Sequence, residues 1–262
     1  MTIIDTHVHL DHLENPEQAL QEARGAGVEA LVAVGVDLAS CRKNLDYQNR
    51  ISAPRIYLGF GIHPGNIKSD EIEETILWIR EHHEKAQAIG EIGLDFWYKW
   101  ARRDKEKKDE QRRVFARQLA LAKEFDLPTV VHARGTWREA FEMTKQAGIK
   151  RAVFHWYSGP LDVLKDIIDG GYFVSASPAL ADSPQSREAI QNAPIEQILI
   201  ETDSPVFFRY RDQGGGFMAA PKDVFSTLKA YVELKNIDGD LARVQFNRNA
   251  RNFFRMNDLP DC

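Results

Sequence analysis

The chain is expected to fold as a (β/α)8 barrel, and three observations lead there. Eight short apolar runs rich in β-branched residues alternate with amphipathic stretches along the whole sequence. The length of 262 residues suits one large α/β barrel. Imidazoles and carboxylates recur at the ends of the apolar runs, and the C-terminal strand ends are where such a barrel builds its active site.

The strands are expected at 2–6 (TIIDT), 29–34 (EALVAV), 55–61 (RIYLGFG), 87–91 (QAIGE), 128–132 (PTVVH), 151–155 (RAVFH), 172–176 (YFVSA) and 197–201 (QILIE). Helical patterns lie between them. In "NPEQALQEARGAG" Asn15 is a cap, Pro16 takes the first helical position, and Gly25 or Gly27 ends the helix in a left-handed conformation. In "QRRVFARQLALAKEFD" the helix is stopped near its end by Pro128. The strand count alone also permits a doubly wound sheet. The charges of 99–113 are of interleaved sign, as in a solvated loop and helix start. Repeats, low-complexity tracts and long linkers are lacking, so one domain over 1–262 is expected.

A composition of 43% hydrophobic and 28% charged residues is that of an ordinary globular protein. No apolar run approaches the roughly 18 residues of a membrane span, and no basic and apolar leader opens the sequence. The cysteines, Cys41 and Cys262, make neither a disulfide framework nor a CxxC pair. A reducing cytoplasm is the expected setting. The net charge of −5 argues against coating duplex DNA through a broad basic face. It leaves open an enzyme that acts on nucleic-acid ends through a local site.

In "IIDTHVHL" strand alternation points His7 and His9 the same way. Two neighbouring imidazoles make sense if both stay neutral and share a cation. One histidine at a strand end is ordinarily a hydrogen-bonding residue. Here His7 and His9 end the first strand, His63 follows the third, and Glu91 ends the fourth. His132 ends the fifth, His155 the sixth, and Asp203 follows the eighth. Such a set exceeds what one tetrahedral ion requires. Two ions about 3.5–4 Å apart, sharing a carboxylate, fit it better. Nitrogen and oxygen donors without thiolate suit zinc, manganese, iron or cobalt, with magnesium bound more weakly. His82 and His83 fall late in a polar helix and His12 in the loop after the first strand.

Together "DTHVHLD", "GIHP", "AIGEIGLDF", "VVHAR", "VFHWYSG" and "ETDSP" resemble the TatD family of metal-dependent hydrolases, among the amidohydrolase-type barrels, over essentially the whole chain. The resemblance implies a (β/α)8 fold, two divalent ions (zinc, manganese or magnesium), and phosphodiester hydrolysis by a deoxyribonuclease, 3′→5′ exonucleolytic in some members. It implies that His7, His9 and Asp203 hold one metal, that His132 and His155 hold the second, and that Glu91 bridges them. His63 would face the substrate phosphate, and Asp203 would also handle the proton of the attacking water. Departures occur at "HARGTW", at Trp156 in "FHWYSG", and at Ala219 and Ala220 before Pro221. They spare the ligands and bear on the choice of substrate.

Further readings follow from the residues. Glu201 and Asp5 are expected to orient ligands or backbone. Arg134 and Arg209 are candidates for phosphate contact, with Arg211 beside them. Trp97, Trp100, Trp156 and Tyr157 are candidates for stacking on unpaired bases, with packing as the alternative. Gly214–Gly215–Gly216 reads as a mobile loop. DNA, as single strands or ends, is the expected substrate; neither a membrane nor a stable protein partner is inferred. The alternatives are a barrel hydrolase of an amide, lactone or aminoacyl ester, and a non-catalytic barrel that retains metal.

Overall fold

The computed structural model describes residues 2–209 and 214–259. Its strands are β1 (Ile3–Val8), β2 (Val28–Val34), β3 (Arg55–Phe60), β4 (Ala88–Asp95), β5 (Thr129–Arg134), β6 (Ala152–Phe154), β7 (Phe173–Ala176) and β8 (Ile198–Ile200). They pair in parallel in sequence order. The two edges meet at a bridge between Val8 and Ser204. There the His9 amide donates to Ser204 O at 2.8 Å and the Asp203 amide to His7 O at 3.0 Å. Sequential order with edges that meet is a barrel, so the doubly wound alternative falls away.

The helices are α1 (Pro16–Ala26), α2 (Leu38–Arg50), α3 (Ile72–His82), α4 (Lys105–Glu124), α5 (Trp137–Gln146), α6 (Leu161–Asp169), α7 (Pro184–Asn192), α8 (Val224–Lys235) and α9 (Gly239–Phe254). The Asn15 side chain caps α1 by accepting from the Gln18 amide, and Gly27 ends it at φ +106°. α4 begins six residues before the expected pattern because Asp104 caps it, accepting from the Lys107 amide. The charged stretch is therefore mostly helix. No helix among the described residues is long and apolar enough to cross a membrane.

Two buried clusters follow from strand alternation. One lies between strands and helices and includes Ile3, Leu31, Leu58, Val131, Phe154 and Ile198. The other fills the barrel with Ile4, Val32, Tyr57, Val130, Val153 and Leu199, together with Phe253 and Phe254 of α9. α9 thus plugs the end of the barrel opposite the strand C-termini. It is tied there by Asn247, which accepts from the Ile4 amide at 3.1 Å.

Beyond β8 the chain forms an antiparallel ribbon of β9 (Phe207–Arg209) and β10 (Gly216–Met218). Of Gly214–Gly215–Gly216, read from the sequence as a mobile loop, only Gly216 belongs to the ribbon. Gly216 pairs with Arg209, and Gly214 and Gly215 adopt positive φ ahead of it. Phe208 of the ribbon packs against Trp156, ring centroids 5.3 Å apart. Arg211 lies outside the described residues.

Candidate metal centre

The alternation that fills the barrel carries polar residues into its mouth. Val130 leads to His132, Val153 to His155, and Leu199 to Glu201 and Asp203. β1 and β4 depart from this pattern. Their inward residues are Ile4 then His7, and Ala88 then Glu91, an odd spacing. In each strand one extra residue is inserted. Asp5–Val8 lies opposite Leu31–Ala33, and Ile89–Ile92 lies opposite Thr129–Val131. Each irregularity turns the chain over by one residue and brings an imidazole or a carboxylate inward.

The first group of donors is His7, His9, Asp203 and Glu91. The Nε2 atoms of the two histidines lie 3.4 Å apart. Asp203 Oδ1 is 3.4 Å from His7 Nε2 and 3.2 Å from His9 Nε2. Glu91 Oε2 is 3.5 and 3.4 Å from the same two atoms. Ligands about 2.1 Å from a central ion define a tetrahedron with edges of about 3.4 Å. Among the described residues, buried Asp203 Oδ1 is aligned for no hydrogen bond, and the Nδ1 atoms of His7 and His9 also lack partners. Buried polar atoms are ordinarily bonded, so this spacing fits a cation at the centre. Asp203 sits at φ +54°, a strained conformation for a residue other than glycine, held by the hydrogen bond its amide donates to His7 O.

The second group gathers on the other oxygen of Glu91. Oε1 lies 2.8 Å from His132 Nδ1 and 2.8 Å from His155 Nε2, and those two nitrogens are 3.3 Å apart. Each ring is held from behind by a carboxylate. Asp95 Oδ2 is 3.1 Å from His132 Nε2, and Glu201 Oε1 is 3.3 Å from His155 Nδ1. The Trp156 amide also donates to Glu201 Oε1. Asp5 braces the first group by accepting from the amide and hydroxyl of Thr202 at 3.0 and 2.6 Å, and from the His7 amide at 3.3 Å.

Electrostatics match a cation site. Burial opposes ionisation of Glu91, but the imidazoles around it, with hydrogen bonds from His132 and His155, hold its carboxyl well below the usual range. Asp203 is likewise held low against burial by His9 and His7. Burial disfavours a charged His155, yet Glu91 and Glu201 raise its pKa well above the ordinary value. Against the same penalty, Asp203 and Glu91 raise His9, and Asp95 and Glu91 raise His132. His63 differs, because burial drives it down to about 3 and it stays neutral. The Gly65 amide donates to its Nδ1 at 2.9 Å. The ring proton therefore sits on Nε2, which is 3.6 Å from Glu91 Oε1.

His9, His63, Glu91, His132, His155 and Asp203 floor a cavity of about 530 Å3 whose wall includes His12, Asn66, Tyr98, Arg134, Trp137 and Trp156. All seven histidines and carboxylates singled out at strand ends converge here. His12 stacks on His9. His82 and His83 lie on the outer surface, bonded to Trp78 O and Arg80 O. Arg134 is in the cavity wall, whereas Arg209 stands exposed on β9 and is not part of that wall. Tyr157 is buried with its hydroxyl on Pro160 O, so it anchors a loop and cannot stack on a base. Trp97 and Trp100 are exposed. Sequence reasoning missed Asp95, although it lies in "AIGEIGLDF" four residues after Glu91 at the end of the same strand.

A parallel barrel that gathers nitrogen and oxygen donors at its strand C-termini belongs to the class of metal-dependent barrel hydrolases. The family described as TatD related DNase matches residues 4–255, and the chain belongs to it. It is 30% identical over 264 residues to YabD, an uncharacterized metal-dependent hydrolase of Bacillus subtilis, with 97% of this chain and 100% of that one covered. It is 30% identical over 220 residues to the deoxyribonuclease TATDN3 of Homo sapiens, with 78% of each chain covered. The crystal structure of YJJV, a TatD homolog from Escherichia coli K12, superposes with a TM-score of 0.85 at 25% identity, covering 98% of both chains.

Proposed function

We propose that this protein hydrolyses phosphodiester bonds of DNA at single-stranded ends, using two divalent ions. His7, His9 and Asp203 would hold one ion, His132 and His155 the other, and Glu91 would serve both. The observation that carries the reading is the division of Glu91, with Oε2 facing one donor group and Oε1 the other. Bound there, the cations supply Lewis acidity towards water and the phosphoryl oxygens. Zinc, manganese and magnesium are the candidates.

The chain's own residues do the rest. Asp203 lies at the floor of the cavity and accepts the proton of the attacking water. His63, neutral and with its proton on Nε2, donates to a phosphoryl oxygen as charge develops there. Arg134 contacts a phosphate from the wall. Arg209 reaches only a strand long enough to leave the cavity. Trp156 offers a face to an unpaired base. Glu91 and His7 are buried, so the scissile bond must descend into the cavity. A frayed or single-stranded end brings one strand alone to that depth.

The test is cleavage of single-stranded DNA labelled at either end, by metal-stripped protein and by protein restored with Mn2+, Mg2+ or Zn2+. Metal-dependent laddering that Asp203→Ala abolishes is expected, and the labelled end reads the polarity. No cleavage despite two bound ions would overturn the nuclease reading in favour of a carbonyl substrate, for which the same centre serves.

A further inference from the structure

Asp95 closes β4 and is fully buried, yet it is not one of the groups facing the centre. Its Oδ1 accepts the Trp97 amide at 2.8 Å. Its Oδ2 lies 3.1 Å from His132 Nε2 and 2.9 Å from Arg134 Nε. A single oxygen therefore serves a histidine whose other nitrogen faces the centre and an arginine in the cavity wall. The pairing of β4 with β5 brings this about. Asp95 lies opposite Arg134 and Gly93 opposite His132, and the two β5 residues share a face. Gly93 permits the close approach, because at φ +148° a Cβ there would stand 2.0 Å from His132 O. The Arg134 guanidinium also rests over the Tyr98 ring, 5.2 Å from its centroid.

We propose that Asp95 is a positioning residue that couples metal binding to phosphate binding, by selecting the nitrogen His132 presents to the metal and by aiming Arg134 at a phosphate oxygen. The physical basis is the shared oxygen. With a cation on the Glu91 side of the ring, a carboxylate at Nε2 would keep the ring proton there and free the Nδ1 lone pair, on the nitrogen that faces Glu91. An arginine held at Nε keeps its two terminal amino groups for a bidentate ligand. The inference rests on the two-ion phosphodiester reading.

The experiment is calorimetric titration of Mn2+ into metal-free protein, then of inorganic phosphate into Mn2+-saturated protein. It compares the wild type with Asp95→Asn and Arg134→Gln. Arg134→Gln is expected to weaken phosphate about tenfold and to leave the Mn2+ affinity unchanged. Asp95→Asn sets an amide N–H against His132 Nε2 and drives the ring proton to Nδ1. It is expected to weaken Mn2+ about 10–100-fold and phosphate as well. Wild-type Mn2+ affinity in Asp95→Asn, or wild-type phosphate affinity in Arg134→Gln, would overturn the proposal. Should Asp95→Asn not fold, nitrogen NMR of the Zn2+-loaded wild type decides. A His132 proton on Nε2 supports the coupling, and one on Nδ1 overturns it. Neither probe is DNA, so failure of the nuclease reading, seen as no DNA cleavage, and failure of this coupling, seen in the Mn2+ and phosphate affinities, are read separately.

Discussion

The two halves of the centre are built by different means. His132 and His155 are each backed by a buried carboxylate, Asp95 or Glu201, so side chains aim their rings. His7 and His9 have no such support at Nδ1. Their half is aimed by backbone: the irregularity in β1, the seam with residues 203–204, and the strained Asp203. In one half the rings are oriented by carboxylates already in place. In the other, buried nitrogen and oxygen atoms at the corners of a tetrahedron need the cation to satisfy them.

The largest perturbation removes what the halves share. Glu91→Ala should lower hydrolysis by at least about two orders of magnitude and reduce bound metal in both halves, read by elemental analysis of the purified protein. If only one ion is lost, the bridging role fails. Next, Glu201→Gln should weaken one ion about 10–100-fold and leave the other as in the wild type, seen as one displaced phase in a Mn2+ titration. Loss of both together would erase the distinction between the halves. Asp5→Asn acts on the backbone-built half. It removes an acceptor from a buried network, so a stability loss of about 1–3 kcal/mol is expected in denaturant unfolding, with a smaller change in metal affinity than Glu201→Gln produces.

The smallest effect is that of pH. The raised pKa values of His155, His132 and His9 mean that protons occupy these rings more readily than in a free imidazole. A binding cation must displace them, so metal uptake should release protons and affinity should fall as pH is lowered. Mn2+ titrations in buffers of different ionisation enthalpy count those protons. A count of zero at neutral pH would contradict the assigned donors.

Much of this centre is legible in the one-dimensional pattern. Val130 to His132 and Val153 to His155 are simple alternation, which any strand enforces. His7 and His9 share a face for the same reason, and the α1 cap follows from Asn15 and Pro16. The inward turn of His7 and Glu91 is not legible, because it depends on an inserted residue that only a neighbouring strand defines. Nor is the ribbon of β9 and β10, which needs Phe208 to find Trp156 across the barrel mouth. Arg134 and Arg209 look alike as residues that follow strands. One meets a buried carboxylate and the other stands in solvent.

The sequence by itself determined which chemistry is available: imidazoles and carboxylates at strand ends, with no thiolate among them, on a chain of barrel length. Alternation and apolar runs are local properties, so they survive in a linear text. Only the tertiary structure decided how those donors combine. Which oxygen of Glu91 faces which half, which nitrogen of each ring points inward, and which carboxylate stands behind it depend on strands far apart in the chain being closed into one ring. Distances between such groups are set by that closure.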